Sequence, residues 1–290
     1  MAQETFTESE AGPQYKDILL DDRYESYERF FDHDWAKQFL GLTEATRIDN
    51  AALDLCVDWK GAASIASMPW LLIHTLEQHH KGYMQRDEPF WKRLTRLVRE
   101  HILTKMAGSY SNMKRKELGR IIDELGLKVE DEMSRRPSEL SSDNIWKGYL
   151  KIHEFRLSLW SSQRISYGAL YHGYENFLRR FISIHKPERE GALTRISDVR
   201  DDLKQIFGVA EGGDFLDERA VHIARLVRNA LAHNGGRPCR ELLGMESSLT
   251  IQGNLIHIQA SEVRQLFDLL KGKVLLIAKK APAVPRYRLT

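Results

Sequence analysis

Apolar side chains recur at steps of three and four residues along most of this 290-residue chain, a period that suits helices and excludes extended sheet. The clearest run is Tyr167, Leu170, Tyr171, Tyr174, Phe177, Leu178, Phe181 and Ile182, ending near His185-Lys186-Pro187. Before it, Ile145, Trp146, Tyr149, Ile152, Phe155 and Leu159 outline another long helix that begins at Asn144. Val263, Leu266, Leu269, Leu270, Val274 and Ile277 give a last helix its core face, with Glu262 in the first turn and Lys279-Lys280 at the close. One hairpin interrupts the pattern: Leu249-Thr250-Ile251-Gln252 and Leu255-Ile256-His257-Ile258 flank Gly253-Asn254. The expected fold class is all-α with a small β-hairpin.

Two helical domains are expected. Residues 1–14 read as a disordered polar tail without the basic flank or apolar run of a signal peptide. Tyr24, Tyr27, Phe30, Phe31 and Trp35, at roughly helical spacing, read as core of an N-terminal helical domain over 15–135, whose role is not readable. Within it 61–68 is small and turn-like, Pro69 starts a helix, and Pro89 starts another with a basic side at Arg93, Arg96, Arg99 and Lys105. Residues 108–112 read as a loop. The stretch 130–143 is polar and proline-interrupted, and the domain boundary is placed there. The second domain spans 144–281, and 282–290 is an extended tail.

Composition removes several function classes. The net charge of +2 is too small to steer a polyanion, so any RNA-binding surface must be local. No apolar stretch approaches the roughly 20 residues that span a bilayer, and a cytoplasmic location is expected. Cys56 and Cys239 lie far apart with no CxxC spacing, which supports neither a disulfide framework nor a zinc knuckle. His74, Glu77, His79 and His80 match neither the inverted nor the conventional zincin order, so they read as a solvated helix end and no metal site is expected. Walker A, GxGxxG and GxSxG carriers are lacking, and no cofactor is expected.

The chemistry-bearing stretch is Arg225-Leu226-Val227-Arg228-Asn229-Ala230-Leu231-Ala232-His233-Asn234-Gly235-Gly236. It reads as the end of a helix stopped by a Gly-Gly pair that supplies the left-handed cap. Ala220, Ile223, Ala224, Val227 and Leu231 define its buried stripe, and His222, Asn229 and His233 share the opposite face with Arg225 beside them. Asp214 is the expected N-cap, backed by Asp217 and Glu218 in the first turn.

This stretch resembles the signature of the HEPN superfamily (higher eukaryote and prokaryote nucleotide-binding domains): Arg228, the polar Asn229, three residues, then His233. Arg96–His101 and Arg180–His185 repeat the spacing, but only Arg228 has the polar successor, the small-residue helix interior and the glycine stop. The run Tyr171–Phe177 is similar to the second helix of such domains. There Gly173 is expected to permit a close helix approach, and Glu175 either orients Arg228 or His233 or is a solvated or structurally paired glutamate, the reading favoured here.

The resemblance implies a metal-independent endoribonuclease that leaves 2′,3′-cyclic phosphate and 5′-hydroxyl ends, with Arg228, Asn229 and His233 as catalytic residues. Histidine suits proton transfer near neutral pH, arginine suits a phosphate that gathers charge, and Asn229 can orient His233 from one turn away. Arg225 and Arg237 are candidate RNA phosphate contacts. One such set lacks a second acid-base group, and the family's answer is a homodimer through the Arg228/His233 face. The partners implied are RNA, tRNA among them, and an antitoxin or sensor protein, in a toxin or effector of antiviral defence. The alternatives are a non-catalytic module that binds nucleotide, RNA or protein, and a purely structural dimerisation protein.

Overall fold

The computed structural model describes residues 19–44, 46–105, 120, 123–124, 141–193, 195–245 and 249–281, with backbone alone at 79–95, 97–99 and 101–105. The protein is mostly helical, with a single two-stranded sheet among the described residues. A 3-10 turn at Tyr24–Tyr27 precedes α1 (His33–Thr43) and α2 (Asp49–Lys105). Then come α3 (Ser142–Tyr149), α4 (His153–His185), α5 (Ile196–Phe207), α6 (Val209–Asp217), α7 (Arg219–His233) and the short α8 (Arg240–Leu243). Strands β1 (Thr250–Gln252) and β2 (Leu255–His257) pair antiparallel, and α9 (Ala260–Lys280) closes the chain.

Several boundaries differ from the expected ones. Residues 61–68 do not turn: α2 runs unbroken through Gly61, Pro69 and Pro89. Small side chains there serve packing, with Ala62, Ala63, Ala66 and Ser67 buried and the Gln163 amide of α4 donating to the Ala66 carbonyl at 2.9 Å. The helix expected from Asn144 to Leu159 is broken at 150–152, and its second half is continuous with the next in α4. Asp214 does not cap the signature helix. It sits on α6, the helix is interrupted at Glu218, and Asp217 pairs instead with Arg200 at 2.7 Å. The tails 1–14 and 282–290, the loop 108–112 and most of 130–143 lie outside the described residues.

The chain divides into two units, Met1–Pro69 with Ile152–Thr290, and Trp70–Lys151. The division falls after Pro69 and after Lys151, and the N-terminal aromatics belong to the core of the unit that also holds Ile152–Thr290. Asp32 caps α1 by accepting the Trp35 N–H at 2.9 Å. Trp35 then faces Trp59 of α2 at 5.3 Å and Phe267 of α9 at 5.9 Å between ring centroids, and its Nε1 donates to the Lys271 carbonyl. Trp59 donates to the Leu170 carbonyl at 2.9 Å, and a Cβ on Gly173 would lie 3.0 Å from its Nε1. The close approach expected at Gly173 is thus made against Trp59. In the other unit Trp70 stacks on His74 and Ile73 and Trp146 are buried.

The hairpin forms as expected, with Gly253 and Asn254 at φ 55° and 62°, the paired positive angles of a type I′ turn. The Ile256 N–H donates to the Gly236 carbonyl at 2.9 Å, tying the hairpin to the glycine stop of α7. At the start of α9 the Gln259 N–H donates to Glu262 Oε2 at 2.6 Å. Glu262 lines a cavity of about 500 Å³ with Tyr167, Ile223 and Leu266, and burial pushes its carboxyl from 4.5 up to about 7. The unfolded carboxyl loses its proton first as pH rises, so between about pH 4.5 and 7 the folded state holds the extra proton. Glu262 should therefore weaken stability as pH climbs through that window. Denaturant midpoints measured across it should fall less steeply in Glu262→Gln, which keeps an acceptor for Gln259, and equal slopes would refute the assignment.

Candidate functional site

α7 reaches its glycine stop packed against α4, α6 and α9. So many neighbours, the short α8 among them, require a broad buried arc, and Val221, Ala224, Leu226, Val227 and Ala230 provide it. The stripe expected from sequence is therefore rotated: Ala220 is exposed, while Ile223 and Leu231 are only half-buried. Gly235 and Gly236 take φ 61° and 88°, and the Gly236 N–H donates to the Ala230 carbonyl at 2.8 Å, as the glycine stop requires.

The rotation brings Arg228 onto the seam with α4. Its guanidinium pairs with Glu175 and lies 5.8 Å from the Tyr171 ring centre. The other Glu175 oxygen accepts from Arg179 at 2.8 Å. Glu175 is 7% exposed, so of the alternatives weighed it is structurally paired, not solvated. The Tyr171 hydroxyl and Arg228 Nε are buried with no hydrogen-bond partner among the described residues, and burial pushes the Tyr171 phenol up to about 12.

A groove of about 650 Å³ runs between α4 and α7. One face of α4 lines it with Ser161, Arg164, Ile165, Gly168, Ala169 and His172, and α7 contributes Arg228, Leu231, Ala232 and His233. Gly168 and Ala169 leave the floor low, and the two histidines and two arginines stand around it. His233 is exposed at the end of α7. His172 Nε2 lies 3.0 Å from the Asn176 amide nitrogen; an amide N–H donating there leaves the imidazole proton on Nδ1.

The remaining expected site residues lie elsewhere. Asn229 is half-buried and makes no hydrogen bond to His233 among the described residues. Arg225 bonds His222 Nδ1 at 3.1 Å, and His222 Nε2 meets Glu241 at 2.7 Å, so this arginine is held by its own chain. Arg237 is exposed just past the glycine stop. Of the competing Arg-to-His spacings, Arg180 is paired with Asp54, and His185 Nδ1 lies 2.9 Å from the Phe181 carbonyl. The side chain of His101 lies outside the described residues.

Sequence reading missed Arg164 and His172. The available signal was an α4 face that alternates small with basic residues at helical steps, Arg164, Gly168, Ala169, His172, within an otherwise aromatic helix. No group of three or more His, Cys, Asp or Glu among the described residues is placed to hold a metal ion, and His79 and His80 have undescribed side chains. Cys56 and Cys239 are free; Cys56 is buried, which pushes its thiol up to about 11 and makes it a poor nucleophile. No helix among the described residues is long and apolar enough to cross a membrane. Compared with known proteins, the chain matches no family model, no curated protein and no solved structure.

Proposed function

We propose that this protein is a metal-independent endoribonuclease of the HEPN type. The observation that carries the reading is that His233 and Arg228 line the same groove as His172 and Arg164. In the reaction one histidine takes the proton of the ribose 2′-hydroxyl as the 2′-oxygen bonds to phosphorus. The bond from phosphorus to the 5′-oxygen breaks, and an imidazolium protonates that leaving oxygen. A guanidinium neutralises charge on the phosphate. The products are a 2′,3′-cyclic phosphate and a 5′-hydroxyl. Because His172 shares the groove, one chain carries two groups able to transfer protons, so a second copy is not needed to complete that count. A homodimer across this face, tRNA as substrate, a cytoplasmic site of action and a toxin or effector role in antiviral defence extend the same reading.

Purified protein in EDTA should cut total RNA or tRNA to cyclic-phosphate ends. His233→Ala should lower the rate by about a hundredfold or more, the usual worth of a positioned acid or base. Arg228→Ala is to be compared at matched folding, since its loss also unpairs Glu175. Cleavage that survives His233→Ala would remove this site from the reaction. One observation favours a module that binds nucleotide or RNA without cutting it: the Arg228 charge is already met by Glu175. That reading predicts binding, with no cleavage by the wild type.

A further inference from the structure

Arg228 and Arg164 line one groove, but their charges stand differently. Arg228 shares the buried Glu175 carboxylate with Arg179, whereas Arg164 meets no carboxylate and makes no hydrogen bond among the described residues. Its Nε is buried without a partner among the described residues, and burial lowers its pKa, with no described anion to raise it again. None of the groove-lining residues is acidic. Burial, helped by the Arg164 charge, also holds the nearby His257 imidazole below its usual range. A half-buried cation without a counter-ion is costly unless something outside the fold supplies the charge.

The guanidinium is also held in place. It lies over the Trp160 ring at 4.2 Å, which occupies one face and, with Nε buried, leaves hydrogen bonding to the Nη donors in the guanidinium plane. Gly236 closes the far side, where a Cβ would overlap Arg164 Nη2. The second glycine of the stop therefore does more than end α7: its missing side chain admits the arginine. We propose that Arg164 is the phosphate-binding residue of the groove, taking a phosphodiester of RNA on its planar fork between His172 and His233. This rests on the RNA reading above, but its test is binding, which does not require cleavage.

The probes are a single-stranded 2′-O-methyl RNA, which has no free 2′-hydroxyl to attack, and inorganic phosphate, both titrated against the full chain at several salt concentrations. Arg164→Gln should weaken binding of the RNA about tenfold or more and lower the salt slope by about one. Arg164→Lys, which keeps charge and loses the fork, should fall between. Gly236→Ala, which keeps every charge and displaces the guanidinium, should also weaken binding. Thermal melts serve as folding controls. Affinity for the RNA and salt slope unchanged in Arg164→Gln would overturn the assignment, as would a wild type that binds neither probe. Phosphate bound and the RNA refused would also overturn it, since the site would then serve a small anion. Wild-type binding that depends on Arg164, with no cleavage of ordinary RNA, would sink the nuclease reading and uphold this one.

Discussion

Trp59→Ala should destabilise the larger unit by about 3–5 kcal/mol, the range for deleting a fully buried tryptophan. Trp59 is 0% exposed, and its neighbours Trp35, on the preceding helix, and Phe267, on the last one, lie at 5.3 and 5.6 Å between ring centroids. Truncation would leave a cavity against Gly173, which has no side chain to relax into it, and would remove the hydrogen bond to the Leu170 carbonyl. Urea denaturation is the check. A loss under about 1 kcal/mol would mean that α2 does not share this core, since volume-conserving changes alone cost that little. The same packing predicts that a fragment begun at Asn144 exposes Phe267 and Phe177 and fails to fold alone.

Glu175→Ala is the second large effect, about 3 kcal/mol or more, because breaking a buried ion pair strands its partners. The side chains of Glu175, Arg179 and Arg228 are only 9%, 26% and 18% exposed, so solvent replaces little of the lost charge. Two guanidiniums would then face each other with no anion between them. Adding Arg228→Met should recover part of the loss, because it removes one of the stranded cations; a double-mutant cycle measures the coupling. Strict additivity would show that the contact carries no weight. Glu175→Gln separates support from chemistry: if Glu175 orients Arg228 for a phosphate, cleavage should drop in a variant that still folds.

The motif itself was readable because its determinants are local. A helix period, a Gly-Gly stop and a Gly-Asn hairpin each depend on residues within one or two turns, and all three stand in the structure. The composition of 130–143 suggested a boundary because polar, proline-bearing sequence packs poorly. It carried no information on which earlier helices return to the later core. That depended on shape: Trp59 fits opposite Gly173, and the rings of Trp35, Trp59 and Phe267 all meet one another. Small residues at 61–68 looked like a turn for the same reason, since a glycine or alanine serves a turn and a close helix contact equally well.

By itself, then, the sequence determined an all-α chain with one hairpin, and it placed Arg228 and His233 at the end of a helix. Only the tertiary structure decided which face of that helix is buried, that Arg228 is paired with Glu175, and that Arg164 and His172 stand across the groove. Local order follows from dihedral preference and period, whereas the meeting of α4 with α7 is set by complementary surfaces some sixty residues apart. A charge left without a partner among the described residues, as at Arg164, becomes visible only in three dimensions.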